Sequence, residues 1–150
     1  FAKYTLRGLF DWKGDMAGSR IVHWNNGLWD ICNLLGDGPF STETEYITNI
    51  LRIADILLSR HEKVIFATTT PVTEKYIHIK NREIERYNKI IVPLLREKGV
   101  VINDLHGSVV KDIDRYIRHD DGIHLTDEGI DICAKQVADI IKKTAETLVD

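Results

Sequence analysis

An α/β domain, with a parallel sheet covered by helices on both faces, is the fold class this sequence predicts. Three observations carry the prediction. Short runs of strand character alternate with longer stretches of helical period, the pattern of strands joined by crossover helices. The run "KVIFAT", Lys63 to Thr68, is almost wholly apolar, as a strand covered on both sides must be. No repeat, linker or low-complexity segment divides the chain, so residues 1–150 read as a single domain.

The elements follow in order. Tyr4 to Trp12 reads as a short helix. After the turn "GDMAGS", Arg20 to Trp24 ("RIVHW") is a short strand. Thr42 to Arg60 has apolar residues at 46/47, 50/51, 54 and 57/58, the helical period. Ser41 or Thr42 can cap it, with Glu43 and Glu45 suited to its positive end. Lys63 to Thr68 is the second strand. Asn81 to Lys98 is a second long helix, in which Pro93 is expected to cause a kink or local break; Gly99 ends it. Val100 to Ile102 is a third strand, and Ser108 to Arg118 a short helix. Thr126 to Leu148 is the last helix, with Thr126 as its cap. Three strands are few for such a sheet, and a doubly wound domain ordinarily opens on a strand, not a helix.

Composition narrows the function. The chain has 150 residues, 43% hydrophobic and 29% charged, with a net charge of −3, so nothing points to nucleic acid or an anionic membrane surface. No apolar run approaches the ~18 residues of a membrane span. Cys32 and Cys133 stand far apart in apolar surroundings, which suits buried free thiols and a reducing, cytoplasmic setting. No cofactor motif is present.

Chemistry gathers at the carboxyl ends of strands in such sheets. The stretch "DDGIHLTDEG" begins at Asp120 and leads into the last helix. Thr126, Asp127 and Glu128 are explained by capping and the helix dipole. "DGIH" is not. A histidine acting as a base needs its second ring nitrogen held by an acceptor, and Asp121, three residues before His124 on a turn closed by Gly122, can hold it. The second stretch is "HWNNGLWD", His23 to Asp30. Asparagine amides donate hydrogen bonds without charge and can hold an oxyanion; Asn-Gly is equally a common turn. The third is "TTTPVTEKYIHIKN", Thr68 to Asn81, where Thr70 and the loop to His78 are candidates for lining a substrate cleft, an ordinary surface loop being the alternative. "RHDDGIH" also packs His119, Asp120, Asp121 and His124 into six positions, ligand types for zinc or manganese.

Taken together, "NNGLWD" and "DGIHLTDEG" resemble the SGNH (GDSL-type) hydrolases. "FATTTPV" is similar to that family's fourth strand and the following loop, and "ERYN" to the next helix. The resemblance spans Arg20 to the C-terminus. It implies a flavodoxin-like, three-layer α/β/α domain with strand order 2-1-3-4-5, truncated at the N-terminus so that three strands remain. It implies an ester hydrolase acting on small acyl esters, such as acetyl groups on carbohydrate. His124 would be the base and Asp121 its orienting acid. Asn25 would donate to the oxyanion, with Asn26 as the alternative; Asp30 and Trp29 would support their loop.

One departure is large. No Gly-Asp-Ser occurs, and none of Ser19, Ser41, Ser59 and Ser108 follows a strand as the family's nucleophile does. The serine is therefore expected upstream of Phe1. Two alternatives stay open: a binding or scaffold domain that retains the fold without the chemistry, and a metal-dependent hydrolase built on His119, Asp120, Asp121 and His124. The strand Arg20–Trp24 would also lack one neighbour, and an open apolar edge invites pairing, so a homo-oligomer is expected.

Overall fold

A computed structural model describes residues 1–148. Among these residues three strands, β1 (Ile21–Trp24), β2 (Lys63–Ala67) and β3 (Val101–Asn103), form one parallel sheet in the order β1-β2-β3. Val22 lies opposite Val64 and Trp24 opposite Phe66; Phe66 in turn lies opposite Ile102. This is the expected α/β architecture.

Among the described residues, seven α-helices surround the sheet: α1 (Ala2–Asp11), α2 (Leu28–Ile31), α3 (Glu43–Leu58), α4 (Asn81–Glu97), α5 (Leu105–Val109), α6 (Ile113–Tyr116) and α7 (Asp127–Ala145). Side chains alternate across a strand, and the two faces carry different partners. Val22, Trp24, Val64, Phe66, Val100 and Ile102 pack into the main core with Ile50, Ile53 and Leu57 of α3 and Ile84, Ile91 and Leu95 of α4. On the other face α7 lies against β1 and β3, with a smaller core of Val109, Ile117 and Cys133 beneath the last three helices.

That second face holds a polar chain. The Ser108 hydroxyl donates to Gln136 Oε1, Gln136 Nε2 donates to Asn103 Oδ1 (2.7 Å), and Asn103 Nδ2 lies 3.0 Å from His23 Nε2. The donors run in one direction, so His23 Nε2 is the terminal acceptor and His23 is neutral. Burial pushes its pKa downward, which agrees.

Several boundaries differ from the sequence reading, each for a physical reason. Helix α1 starts at Ala2, not Tyr4, because its first N–H is held by the carboxylate of Asp30 (3.1 Å to each oxygen), 28 residues away. Of the two cap candidates for α3, Thr42 takes the place, in a reciprocal capping box with Glu45. Helix α4 runs unbroken through Pro93. Pro93 and Lys89, whose carbonyl loses its partner, are both exposed, so water can replace the missing bond. The third strand lies one residue later than expected. The single helix expected over Ser108–Arg118 is instead two short helices joined by a 3-10 turn, because Asp104 and Asp112 each cap a separate turn. Ser108 sits within α5 and does not start a helix.

Helix α7 keeps its apolar stripe, yet only Gly129, Cys133 and Thr144 are fully buried, and Ile130 is 51% exposed. A three-stranded sheet is too narrow a floor for it. Among the described residues, no helix is long and apolar enough to cross a membrane. Cys32 and Cys133 are both free and buried.

Candidate active site

The carboxyl ends of the strands open onto a cleft of about 420 Å³, within the ~300–1,000 Å³ of sites that enclose small molecules. It is lined by the loop after β1, by the long loop after β2 and by the turn before α7.

The turn before α7 is built around Asp121. One carboxylate oxygen accepts the backbone N–H groups of Ile123 and His124, both at 2.9 Å; the other lies 2.9 Å from His124 Nδ1. These bonds hold the Asp121 carboxyl far below the usual carboxylate range, the His124 backbone N–H contributing most. With Asp121 ionised, the ring proton sits on Nδ1, and Nε2 is left as an acceptor on a side chain that is 75% exposed. Arg118 holds Asp120 and stands 3.9 Å from Asp121. Gly122 has φ +76°, and a Cβ there would lie 2.6 Å from the Thr73 hydroxyl and 3.1 Å from the Tyr76 backbone nitrogen. Glycine is needed both for the conformation and for the approach of the neighbouring loop.

That neighbour is the loop of residues 68–80, fastened at several places. Asn88 of α4 takes both backbone groups of Thr69 (2.9 Å each), and Asn81 takes both of Val72 (2.9 and 2.8 Å). Thr73 N–H donates to the Gly122 carbonyl at 2.9 Å. Asn33 N–H donates to the His78 carbonyl, tying the loop to the segment after β1. The loop therefore braces the Asp121–His124 turn against the asparagine segment.

Both asparagines lie on the cleft, in different ways. Asn25 is exposed, and its Nδ2 donates to the Ala67 carbonyl (2.7 Å), leaving its second amide hydrogen for the cleft. Asn26 is buried, and its Nδ2 is engaged by Thr5 Oγ1 (2.9 Å). Gly27 follows because any side chain there would overlap the Thr69 hydroxyl. Asp30 is fully buried, accepting from Ser41 Oγ (2.8 Å) and Ala2 N–H; burial pushes its carboxyl upward against those bonds.

His124, Asn25 and Asn26 are thus brought to one cleft, with Asp121 directly behind the histidine. Thr70 is not among the lining residues. Its loop contributes Tyr76 and Ile79 instead, because the asparagine clamps turn the chain after Thr70. Tyr76 falls within the loop to His78 that the sequence offered as a cleft wall, whereas Trp29 was expected only to support its own loop. The metal grouping does not form. Asp120 is held by Arg118 and His124 by Asp121, and among the described residues no three His, Cys, Asp or Glu side chains are grouped to hold an ion.

None of the serines lines this cleft. Ser19 packs on His61, Ser41 bonds Asp30, Ser59 bonds the Ile56 carbonyl and Ser108 bonds Gln136.

No family model matches the chain. It is 31% identical over 122 residues to the GDSL esterase/lipase WDL1 of Oryza sativa subsp. japonica, covering 72% of this chain and 47% of that protein. The chain spans about half the length of the curated relatives it matches, 47% and 48% for two of them. Among solved structures, a lipase/acylhydrolase from Enterococcus faecalis superposes with a TM-score of 0.76 at 16% identity, over 95% of this chain and 71% of that one. An acetyl xylan esterase superposes with a TM-score of 0.71 at 20% identity, over 90% and 75%. At such identities the structural likeness shows the fold.

Proposed function

The chain belongs to the SGNH/GDSL hydrolase family, and on that premise we propose that it is the part of an ester hydrolase that supplies the base, its orienting acid and an oxyanion donor. The observation that carries this reading is the 2.9 Å contact between Asp121 and His124 Nδ1, which leaves Nε2 as an acceptor on the cleft shared with Asn25. The nucleophile is a serine in a segment that precedes Phe1. Its Oγ attacks the ester carbonyl carbon while its proton passes to His124 Nε2, and Asp121 stabilises the imidazolium. The Asn25 Nδ2 hydrogen not used by Ala67 donates to the oxyanion. Collapse expels the alcohol with the proton from His124. Water, activated by the same nitrogen, then releases the acid.

The substrate is an uncharged ester with a small acyl group. Among the described residues, those lining the cleft include no Asp, Glu, Lys or Arg, and the likeness to an acetyl xylan esterase supports acetylated carbohydrate. No cofactor is required. Edge strand β1 has a partner on one side only among the described residues, and it pairs with a further strand, from the upstream segment or a second copy.

The lack of a cleft serine favours one other reading, a binding domain that keeps the fold without the chemistry. Assaying p-nitrophenyl acetate hydrolysis by the chain extended upstream separates the two. Hydrolysis lost in His124→Ala supports the enzyme; no hydrolysis by the extended chain supports the binding domain.

A further inference from the structure

The cleft divides into a polar part and an apolar part. Asn25, Asn26 and His124 make the first; Leu28, Cys32, Tyr76, Ile79 and Ile123 belong to the second and pack into the main core behind it. Cys32 and Ile79 are almost wholly buried, at 1% and 4% exposure. The chemistry at the ester carbon assigns these parts. Its oxygen turns to Asn25. Its alcohol must take a proton from His124, whose side chain is 75% exposed, so the alcohol leaves toward water. The acyl substituent is left with the apolar part. Alkyl groups gain by burial there, whereas the hydroxyls of a polyol would lose their water partners.

Tyr76 closes that part of the cleft. Its backbone nitrogen lies against Gly122 of the Asp121–His124 turn, 3.1 Å from the place of an added Cβ. Its ring meets His78 edge-on, with centroids 5.6 Å apart, and its hydroxyl reaches Cys32 Sγ at 3.8 Å. The side chain thus spans from the turn to the segment after α2. Ile79 stands in the same wall and also borders a second hollow of about 320 Å³, whose other walls include Ile31, Pro39, Ile77 and Tyr87. No described residue of α1 lies on that hollow.

We propose that Tyr76 and Ile79 determine acyl-length specificity: together they form the wall that stops the acyl chain and separates it from the second hollow. The direction of the acyl group rests on the ester-hydrolase reading. The fastening of residues 68–80 makes the wall rigid, since Tyr76 lies between the clamp of Asn81 on Val72 and the bond from Asn33 to His78.

The test uses the chain with its upstream segment and the variants Tyr76→Ala, Ile79→Ala and Tyr76→Phe. Kinetics give kcat/KM for p-nitrophenyl acetate and p-nitrophenyl hexanoate. Comparing the hexanoate-to-acetate ratio of each variant with that of the native chain cancels both the intrinsic reactivity of the esters and any loss of folded protein. Each buried methylene is worth about fourfold, so room for two more raises the ratio at least about fifteenfold in both alanine variants. Tyr76→Phe keeps the ring and leaves the ratio within about threefold of native. A ratio unmoved in either alanine variant overturns the wall. So does an equal rise in Tyr76→Phe, which would make the hydroxyl, not the ring, the determinant. Ligand-observed NMR of acetamide and hexanamide binding gives a second readout that needs no nucleophile. Absence of all ester hydrolysis overturns the enzyme reading instead, and the wall is then decided by whether the alanine variants gain affinity for hexanamide over acetamide; no gain overturns it.

Discussion

Replacing Gly122 with alanine tests how the Asp121–His124 turn is held. Two costs follow from its position. At φ +76° a Cβ strains the backbone by about 1–2 kcal/mol. The same Cβ meets the Thr73 hydroxyl, which can swing aside, and the Tyr76 backbone nitrogen at 3.1 Å, which cannot. Backing the loop away breaks the Thr73 N–H to Gly122 carbonyl bond, about 0.5–1.5 kcal/mol. Together the loss is about 2–3 kcal/mol, a fall of roughly 1 M in the urea midpoint for a slope of about 2–3 kcal/mol/M. Gly36→Ala is the control, since Gly36 has φ +82° with no atom within 4 Å of an added Cβ. It carries the strain alone and is expected to cost about 1–2 kcal/mol. The measured difference, about 1 kcal/mol, is the bracing of the turn by the loop. Equal midpoints for the two variants would refute that bracing.

Three further outcomes are expected. Asn88→Ala strips both partners from the buried backbone of Thr69 and should cost about 2–4 kcal/mol in urea unfolding; a cost below 1 kcal/mol would show that the clamp is dispensable. Burial lowers the folded pKa of both His23 and His106, so their effect on stability is absent above the unfolded imidazole pKa of about 6.5 and grows as pH falls below it. The urea midpoint should therefore decline between about pH 7 and 5, and His23→Phe should flatten the decline; an unchanged slope would remove His23 from the account. In the upstream-extended chain, Asp121→Asn should lower kcat by about 10⁴-fold by presenting the wrong partner to Nδ1, with folding retained. A loss below tenfold would mean that Asp121 only shapes the turn.

What the sequence disclosed was what is local. "KVIFAT" is legible because a doubly covered strand needs no partner to be recognised, and the caps Thr42 and Thr126 lie beside the helices they start. The Asp121–His124 pair is legible for the same reason: three residues and one glycine make the turn. Features set by distant residues were hidden. The start of α1 depends on Asp30, and the four-residue α2 is too short to show a period and hides behind an Asn-Gly that reads as a turn. Thr70 was a candidate only because its loop follows a strand's carboxyl end, whereas the path of that loop is decided by Asn81 and Asn88 on a helix. Asn25 and Asn26 are equivalent as letters; burial and the bond to Thr5 set them apart.

The most direct test of the central claim is fluorophosphonate labelling with and without the upstream segment proposed to carry the serine. The account predicts that the 150-residue chain is not labelled and that the extended chain is labelled at one serine in that segment, with labelling lost in His124→Ala. Stoichiometric labelling of the 150-residue chain, at Ser19, Ser41, Ser59 or Ser108, would contradict it.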